Sequence, residues 1–299
     1  MITNATGLPQ PLYRATLSDD YDAGASDITA TGLLLPPHLA ALERAHPGAL
    51  TEDVADMARL LIGKAVHAYI ARVADDELDD HARLSMMVNG WLVSGQTDHV
   101  FTTTDGGGEL LVFAAGHHIR DYKTLSVNEW ARGLRVEREQ QLNIYAALLR
   151  ANGYAVSSLG ATCIFVDWSP RRARYERDYP PASIVDVEVP LWEPEDAQRF
   201  ILDRVLAHQA ARADPESALC SDEERWASAG EWAVMKEGNK RATKLFPADA
   251  YAEACLFALG GGPAYNVEQR RREYVRCESY CAVGRAGVCQ QWNNERELR

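Results

Sequence analysis

The order of the apolar segments constrains the fold more than any other feature of this sequence. Apolar residues recur at helical spacing over 52–73 and over 128–150, and strand-like segments lie between them. An apolar strand follows at 161–168, another at 185–189 and a helix at 195–211. This succession predicts an α/β fold, with a central mixed β-sheet flanked by helices.

Turn residues divide the region between the first two helices. Residues 86–103 are predicted to form a strand, or a hairpin that turns at Asn89-Gly90, a dipeptide typical of two-residue hairpin turns. The glycine run at 105–108 predicts a second turn. Short strands are expected at 110–113 and 118–123.

We divide the 299 residues into three parts. Residues 1–50 form a turn-rich lead-in, 51–215 form the α/β core, and 216–299 form a small cysteine-bearing module, called the cysteine module below. The module is expected to contain a small hairpin and a helix over 247–259. The apolar positions of that helix, which are predicted to face a core, are Ala252, Cys255, Leu256 and Leu259.

Composition limits the functional classes. The hydrophobic share of 46% suffices for a globular core, whereas the net charge of −12 argues against a general nucleic-acid binder, so any DNA groove must be local. The sequence has no apolar run long enough to cross a membrane and no signal peptide at its start, which predicts a cytoplasmic protein. The six cysteines are therefore expected to be thiols or metal ligands.

Four short motifs occur in order along the predicted core. They are Gly63-x-x-x-His67, Gly95-x-x-Asp98, Asp121-Tyr-Lys123 and Gln141-x-x-x-Tyr145. Each motif alone is common: an isolated histidine or Asp-x-Lys tripeptide is usually structural. Their order and spacing together make the functional interpretation stronger than any one of them.

The residue types suit metal-dependent cleavage of phosphodiester bonds. Side chains alternate along a strand, so Asp121 and Lys123 are predicted to point to the same face. Carboxylates such as Asp98 and Asp121 are ligands that Mg²⁺ and Mn²⁺ prefer. The ammonium group of Lys123 could then act on the attacking water or the phosphate.

The combined set resembles the PD-(D/E)xK nuclease superfamily, and within it the RecB-like exonucleases, over about residues 27–168. The resemblance implies a restriction-endonuclease-like core in which Asp98 and Asp121 bind Mg²⁺ or Mn²⁺ and Lys123 assists the nucleophilic water. It also implies that His67 ligates or orients the metal, and that Gln141 and Tyr145 border the DNA. Activity in recombination, repair or phage DNA processing follows from it, with a helicase or recombination protein as a conceivable partner.

Two other functions remain open at this point. The chain could be a nuclease-like DNA-binding or complex-assembly subunit without turnover, or a restriction or defence endonuclease. Retention of Asp98, Asp121 and Lys123 argues against loss of turnover. Cleavage of circular as well as linear DNA would distinguish an endonuclease from an exonuclease.

Three cysteines within 13 positions, Cys277, Cys281 and Cys289, predict a soft metal centre in the cysteine module. Cys220 is our choice for a fourth ligand, while Cys163 is expected in the core. The resemblance implies a [4Fe–4S] cluster, but relatives carry one cysteine before the histidine motif and none precedes His67 here. Structural zinc and free thiols therefore remain alternatives.

Basic residues are expected to bind a DNA strand. Arg132, Arg135 and Arg138 recur at spacing three on the predicted 128–150 helix and would form one basic stripe. Such runs are usually solvated surfaces. Exposed aromatic side chains could stack on unpaired bases, and the candidates are Trp168, Tyr175 and Trp226.

Overall fold

The structure is a computed structural model and describes residues 1–18, 24–73, 83–102, 116–131, 133 and 135–297. Helices and strands are interspersed along these ranges, which confirms the predicted α/β fold. The helices are α1 (Gln10–Leu17), α2 (Ala30–Leu33), α3 (Pro37–Ala45), α4 (Ala58–Ala71), α5 (Val127–Trp130), α6 (Val136–Ala151), α7 (Pro170–Tyr175), α8 (Pro194–Ala213), α9 (Tyr251–Gly261), α10 (Ala282–Arg285) and α11 (Gln290–Glu297). The strands are β1 (Ile2–Thr3), β2 (Ile28–Thr29), β3 (Glu52–Asp53), β4 (Leu84–Val88), β5 (Trp91–Gly95), β6 (His99–Phe101), β7 (His117–Leu125), β8 (Val156–Phe165), β9 (Ile184–Val189), β10 (Glu231–Lys236), β11 (Lys244–Pro247) and β12 (Tyr265–Arg270).

A four-stranded mixed sheet in the order β6-β7-β8-β9 carries the candidate site. β7 and β8 are parallel, while the outer pairs are antiparallel. A parallel pair needs a long crossover, which α5 and α6 provide. Ala161 and Cys163 on β8 have no exposed surface, as predicted for a buried strand.

β4 and β5 form the hairpin that Asn89-Gly90 predicts. Both turn residues have positive φ, 44° and 79°, which a two-residue turn between twisted strands requires. β2 joins this hairpin to form a three-stranded sheet. This sheet is separate from the four-stranded sheet, because the chain leaves strand geometry between β5 and β6, at residues 96–98. The described strands therefore form several sheets flanked by helices. The elements predicted at 105–108 and 110–113 lie outside the described residues.

The main core lies between α6, α8 and the two sheets. Leu142, Ile144, Leu148 and Leu149 on α6 are at most 1% exposed. Burial of four large aliphatic side chains stabilises the fold by roughly 1.5–3 kcal/mol each, before conformational entropy is subtracted. α6 is thereby fixed against the strands that surround the candidate site.

α4 is shorter than the helix predicted over 52–73. It begins at Ala58, after a single 3₁₀ turn over Val54–Asp56 in which Asp53 accepts the N–H of Ala55. The helix was predicted to begin too early because Val54 and Met57 in and beside this turn are apolar and buried, at 2% and 8% exposure.

The helix predicted over 128–150 is two helices. Ser126 and Glu129 form a reciprocal capping box that starts α5. Beyond the end of α5, Gly133 takes a φ of 81°, a left-handed conformation that glycine adopts without strain. α6 begins only after Arg135, whose backbone is extended.

In the cysteine module, β10 pairs with β11 as the predicted hairpin and also with β12, which the sequence did not indicate. α9 packs on this sheet through Ala254 and Ala258. Leu256 and Leu259 are instead 70% and 77% exposed, so the predicted apolar face is wrong. The small side chains of Ala254 and Ala258 let α9 lie close to the sheet. Cys255, which was predicted to lie in the core, is only half-buried.

The described part of the first 50 residues packs on the rest of the described chain. β1 pairs with β3, β2 pairs with β5, and α3 contacts α8 and α10. The three-part division of the chain stays a prediction. Across the described residues, we find no helix with the length and apolarity needed to cross a membrane.

Candidate active site

The structure brings four of the predicted site residues together beside β7, an internal strand of the mixed sheet. His67 on α4 reaches Asp98, with 3.2 Å between Nδ1 and Oδ1. Asp121 and Lys123 on β7 share a face, as predicted, and Lys123 Nζ donates to Asp121 Oδ1 at 2.9 Å. Asp98 and Asp121 are themselves within hydrogen-bonding reach of one another. The two motif carboxylates thus form one cluster.

Backbone contacts fix the position of Asp98. The residue lies in the irregular segment between β5 and β6, and its Oδ2 accepts the N–H of Tyr122 at 2.9 Å. This bond links the segment to β7 directly beside Asp121. Tyr122 itself turns away from the carboxylates, and its hydroxyl lies 3.2 Å from His99 Nδ1.

Gly95 allows α6 to approach the end of β5. A Cβ atom at this position would lie 2.8 Å from Leu148 Cδ1 and 2.8 Å from Tyr145 Cε1. The glycine of the Gly95-x-x-Asp98 motif is therefore needed for packing just before the candidate metal ligand. Gly63 differs, since an added Cβ would meet Thr124 Oγ1 at 3.7 Å, an ordinary contact.

Asp121 carries the strongest electrostatic perturbation of the site. Its side chain is 3% exposed. Burial, together with the neighbouring charge of Asp98, raises the pKa of Asp121 to about 7, although Lys123 opposes this. Near neutral pH the buried carboxyl is therefore poised between its neutral and ionised forms.

His67 and Asp98 shift each other's pKa in the opposite sense. The hydrogen bond to Asp98 raises the pKa of His67, against the effect of partial burial. Burial by itself would raise the pKa of Asp98, but its hydrogen bond with His67 and the charges of His67 and Lys123 leave it below its usual value. Asp98 is thus the ionised member of the carboxylate pair.

The donor chemistry of the carboxylate pair fits a divalent cation. Asp121 Oδ2 is buried. Lys123 Nζ forms an ion pair with it at 2.7 Å, but no donor is aligned to give it a hydrogen bond. Mg²⁺ is commonly held by one or two carboxylates plus waters and substrate phosphates, so two carboxylates suffice. In the part of the chain that the structure describes, no three His, Cys, Asp or Glu side chains are gathered tightly enough to hold a metal ion as they stand.

Gln141 and Tyr145 occupy one face of α6, as their spacing predicts. Gln141 Nε2 donates to the Tyr145 hydroxyl at 2.8 Å. Tyr145 is only 6% exposed and packs in the main core beside Gly95. The pair therefore supports the segment that leads to Asp98, and any contact with substrate falls to the half-buried Gln141.

The predicted arginine stripe does not form along one helix. Arg132 lies outside the described residues, Arg135 precedes α6 and Arg138 lies on it. Arg135 and Arg138 both approach Glu129 Oε1, at 3.8 and 3.9 Å, so their charges are partly neutralised. Arg135 also lies over the ring of Trp226, with 5.3 Å from Cζ to the ring centroid.

Trp226 lies where the cysteine module meets α6. Arg276 of the module covers the same ring at 4.4 Å. The backbone of Trp226 has a φ of 52°, an unfavourable value for a side chain of this size. Of the two other candidate stacking residues, Tyr175 is 76% exposed, whereas Trp168 Nε1 donates to the carbonyl of Pro180.

Three of the four predicted cysteine ligands lie in one cluster, and the backbone of Cys220 pairs with the Gln291 side chain nearby. Cys277, Cys281 and Cys289 are buried in one apolar cluster that also contains Trp292. Burial, the charge of Glu224 and those of the other three cysteines raise the pKa of Cys220 to about 12. The cysteines are free thiols, and Cys163 is buried in the sheet, as predicted.

One residue of this region was missed by the sequence analysis. His38 on α3 is 1% exposed, and its Nε2 lies 3.8 Å from Cys289 Sγ. The two residues are 251 positions apart, so no local spacing could have connected them.

Comparison with known proteins identifies no family. No family model matches the chain, and no curated protein matches it. Among solved structures, the crystal structure of SSO0001 aligns with 70% of this chain and 93% of its own length, at 15% sequence identity and a TM-score of 0.42.

Proposed function

We propose that the chain is a Mg²⁺- or Mn²⁺-dependent deoxyribonuclease, an exonuclease of DNA recombination, repair or phage DNA processing that acts in the cytoplasm. The observation that supports this most is the buried Asp121, hydrogen-bonded to Lys123 and adjacent to Asp98. A carboxyl group held near its ionisation point beside a second carboxylate is costly for folding, and such arrangements cluster at functional sites.

Each residue of the cluster has a role in this proposal. Asp98 and Asp121 would hold the cation, which when bound stabilises developing negative charge and acidifies a water molecule. Lys123 keeps Asp121 oriented, and its ammonium group adds positive charge where the scissile phosphate would lie. His67 holds Asp98 through the 3.2 Å contact and so orients one ligand.

The DNA strand would contact the surface around Trp226. Arg135 and Arg276 bring two guanidinium groups to this ring from two different parts of the chain. Guanidinium groups bind phosphate, and an indole ring offers a surface on which an unpaired base can stack. A local groove of this kind is compatible with the net charge of −12.

The cysteines would form a second, structural centre. The burial of Cys277, Cys281 and Cys289 in one cluster supports this proposal, and both [4Fe–4S] and zinc accept thiolate ligands. The ultraviolet–visible spectrum of anaerobically purified protein separates the two, because an iron–sulfur cluster is coloured and zinc is not.

The nuclease proposal is tested by degradation of end-labelled linear DNA with and without Mn²⁺. The wild-type protein should degrade DNA only with the metal, and Asp121→Ala or Lys123→Ala should lower the rate by at least about 100-fold. Asp203→Asn is the matched control, since Asp203 is exposed on α8. Full activity in both site variants would overturn the proposal, as would an inactive wild-type protein.

A further inference from the structure

Helix α9 has an apolar face that is open to solvent. The helix packs on its sheet through Ala254 and Ala258, which are buried. On the outward side of the helix, Leu256 is 70% exposed and Leu259 is 77% exposed. Adjacent apolar side chains with this much exposed surface mark a contact with another molecule.

Small residues surround the central leucine of this face. Ala252 and Gly260 lie one helical turn on either side of Leu256, and both are exposed. A Cβ atom added at Gly260 would meet no atom within 4 Å. Because small side chains shorten the distance between packed helices, a second helix can approach Leu256 closely along the length of α9.

The beginning of α9 is acidic. Asp249 lies two residues before the helix, and Glu253 lies in its first turn. Both side chains are exposed, and neither forms an ion pair with another described residue. The first turn therefore presents unpaired negative charge next to the apolar face.

The second half of α9 lies beside cations of the β10–β11 hairpin. Lys244 Nζ is 4.9 Å from the centroid of the Phe257 ring. Lys240 and Arg241 lie in the turn that joins β10 to β11, close to Lys244 in the chain. All three cations are exposed, and within the described ranges none of them forms an ion pair with a carboxylate.

A surface with acid at one end, cations at the other and leucines between them is complementary to a second copy of itself. If two α9 helices run antiparallel about a two-fold axis at Leu256, the acidic turn of each copy lies beside the cations of the other. Ala252 of one copy then lies opposite Gly260 of the other. A DNA strand or an acidic peptide would be complementary to only one end of this surface.

We propose that α9 and the β10–β11 hairpin form the interface of a homodimer. The inference depends neither on the nuclease proposal nor on the cysteine centre. Opposite charges at both ends would hold the antiparallel register, although the net charge of −12 opposes association elsewhere on the surface. A helix of 11 residues covers less than a standard interface, so association should be reversible and roughly micromolar.

Sedimentation velocity of the full chain, at concentrations around the micromolar range, tests the dimer. Leu256→Glu should weaken association at least about tenfold, because two carboxylates would meet at the axis. Leu206→Glu is the matched control, since Leu206 is 44% exposed on α8, and it should associate like wild type. A wild-type chain that stays monomeric, or a Leu256→Glu chain that associates equally well, would overturn the inference.

Exchange of charges tests the antiparallel register. Glu253→Lys alone and Lys244→Glu alone should each weaken association, because like charges would then face each other. The double variant should restore it, since each copy carries both changes. A double variant weaker than either single variant would contradict the proposed arrangement.

Cross-linking covers the case in which these variants misfold. Leu256→Cys treated with a short bismaleimide should give a covalent dimer, because the two thiols would lie near the axis. Leu206→Cys should give none. A Leu256→Cys chain that is not cross-linked, or whose new thiol is instead protected by added DNA, would rule out the homodimer.

Discussion

Asp121 has a side chain that is 3% exposed, and the charge of Asp98 lies beside it. Ionising this carboxyl in the folded protein is unfavourable, because burial removes the water that would solvate the charge. In the unfolded chain it ionises normally. The residue therefore costs stability near neutral pH, and binding of a cation would recover that cost.

Replacing Asp121 with Asn should stabilise the protein in a pH-dependent manner. The folded pKa, about 7, exceeds the ordinary value of 3.8, so the favourable contribution of the acid is present at low pH and is lost as pH rises through 7. We expect Asp121→Asn to increase the free energy of unfolding at pH 8 by on the order of 1–4 kcal/mol. This should raise the melting temperature by several degrees.

Measurement at low pH distinguishes this effect of ionisation from a stabilisation that does not depend on pH. Near pH 4 the acid is protonated in the folded protein, and the difference in melting temperature between Asp121→Asn and wild type should largely disappear. Asp203→Asn, in an exposed position, should change the melting temperature little at either pH. Equal stabilisation of Asp121→Asn at both values would contradict the assigned pKa.

Gly95 and Gly63 are motif glycines on different elements, and the structure separates their roles. An alanine Cβ at Gly95 would press on Leu148 and Tyr145, which the main core holds in place. At Gly63, on the half-exposed α4, the added Cβ makes only an ordinary contact with Thr124. Close packing therefore requires glycine at position 95 but not at position 63.

Gly95→Ala should destabilise the protein by about 1–3 kcal/mol, because overpacking forces α6 and β5 apart. It should also lower DNA cleavage, since the segment that follows carries Asp98. Gly63→Ala is the matched control and should be neutral or stabilising by up to about 1 kcal/mol, as alanine favours a helix. Chemical denaturation measures both changes, and similar losses in the two variants would contradict the packing argument.

The elements that the sequence predicted well depend on local geometry. Alternation along β7 correctly put Asp121 and Lys123 on one face, and Asn89-Gly90 correctly marked a hairpin. The break between α5 and α6 was missed because the apolar periodicity continues through the connection between them, where Gly133 has a left-handed backbone. On α9 the helical period was right but the face was wrong, since Ala254 and Ala258, not the leucines, meet the sheet.

At the scale of the whole molecule, the missing information is long-range pairing. Cys289 and His38 meet across 251 residues, and Trp226 meets Arg135 across the boundary of the cysteine module. No periodicity or spacing encodes such contacts. The carboxylate cluster was predictable because its motifs follow one another along adjacent elements, whereas the surroundings of the cysteines were not.

The two proposed centres should be separable. The carboxylates lie on β7 and before β6, whereas Cys281 precedes α10 in the cysteine module. We expect Cys281→Ser to lose the cysteine-bound metal and to lower the melting temperature, yet to keep Mn²⁺ binding at Asp98 and Asp121. Loss of Mn²⁺ binding in a Cys281→Ser protein that remains folded would show that the centres depend on each other.

Calorimetric titration of Mn²⁺ in buffers of different ionisation enthalpy tests the central claim, that Asp98 and Asp121 form one cation site. Because Asp121 is largely protonated below its pKa of about 7, binding at pH 6 should release about one proton per Mn²⁺. Near pH 8.5 release should fall close to zero, and Asp121→Asn should bind far more weakly. Wild-type protein that binds no Mn²⁺, or a variant that binds it equally well, would contradict the account.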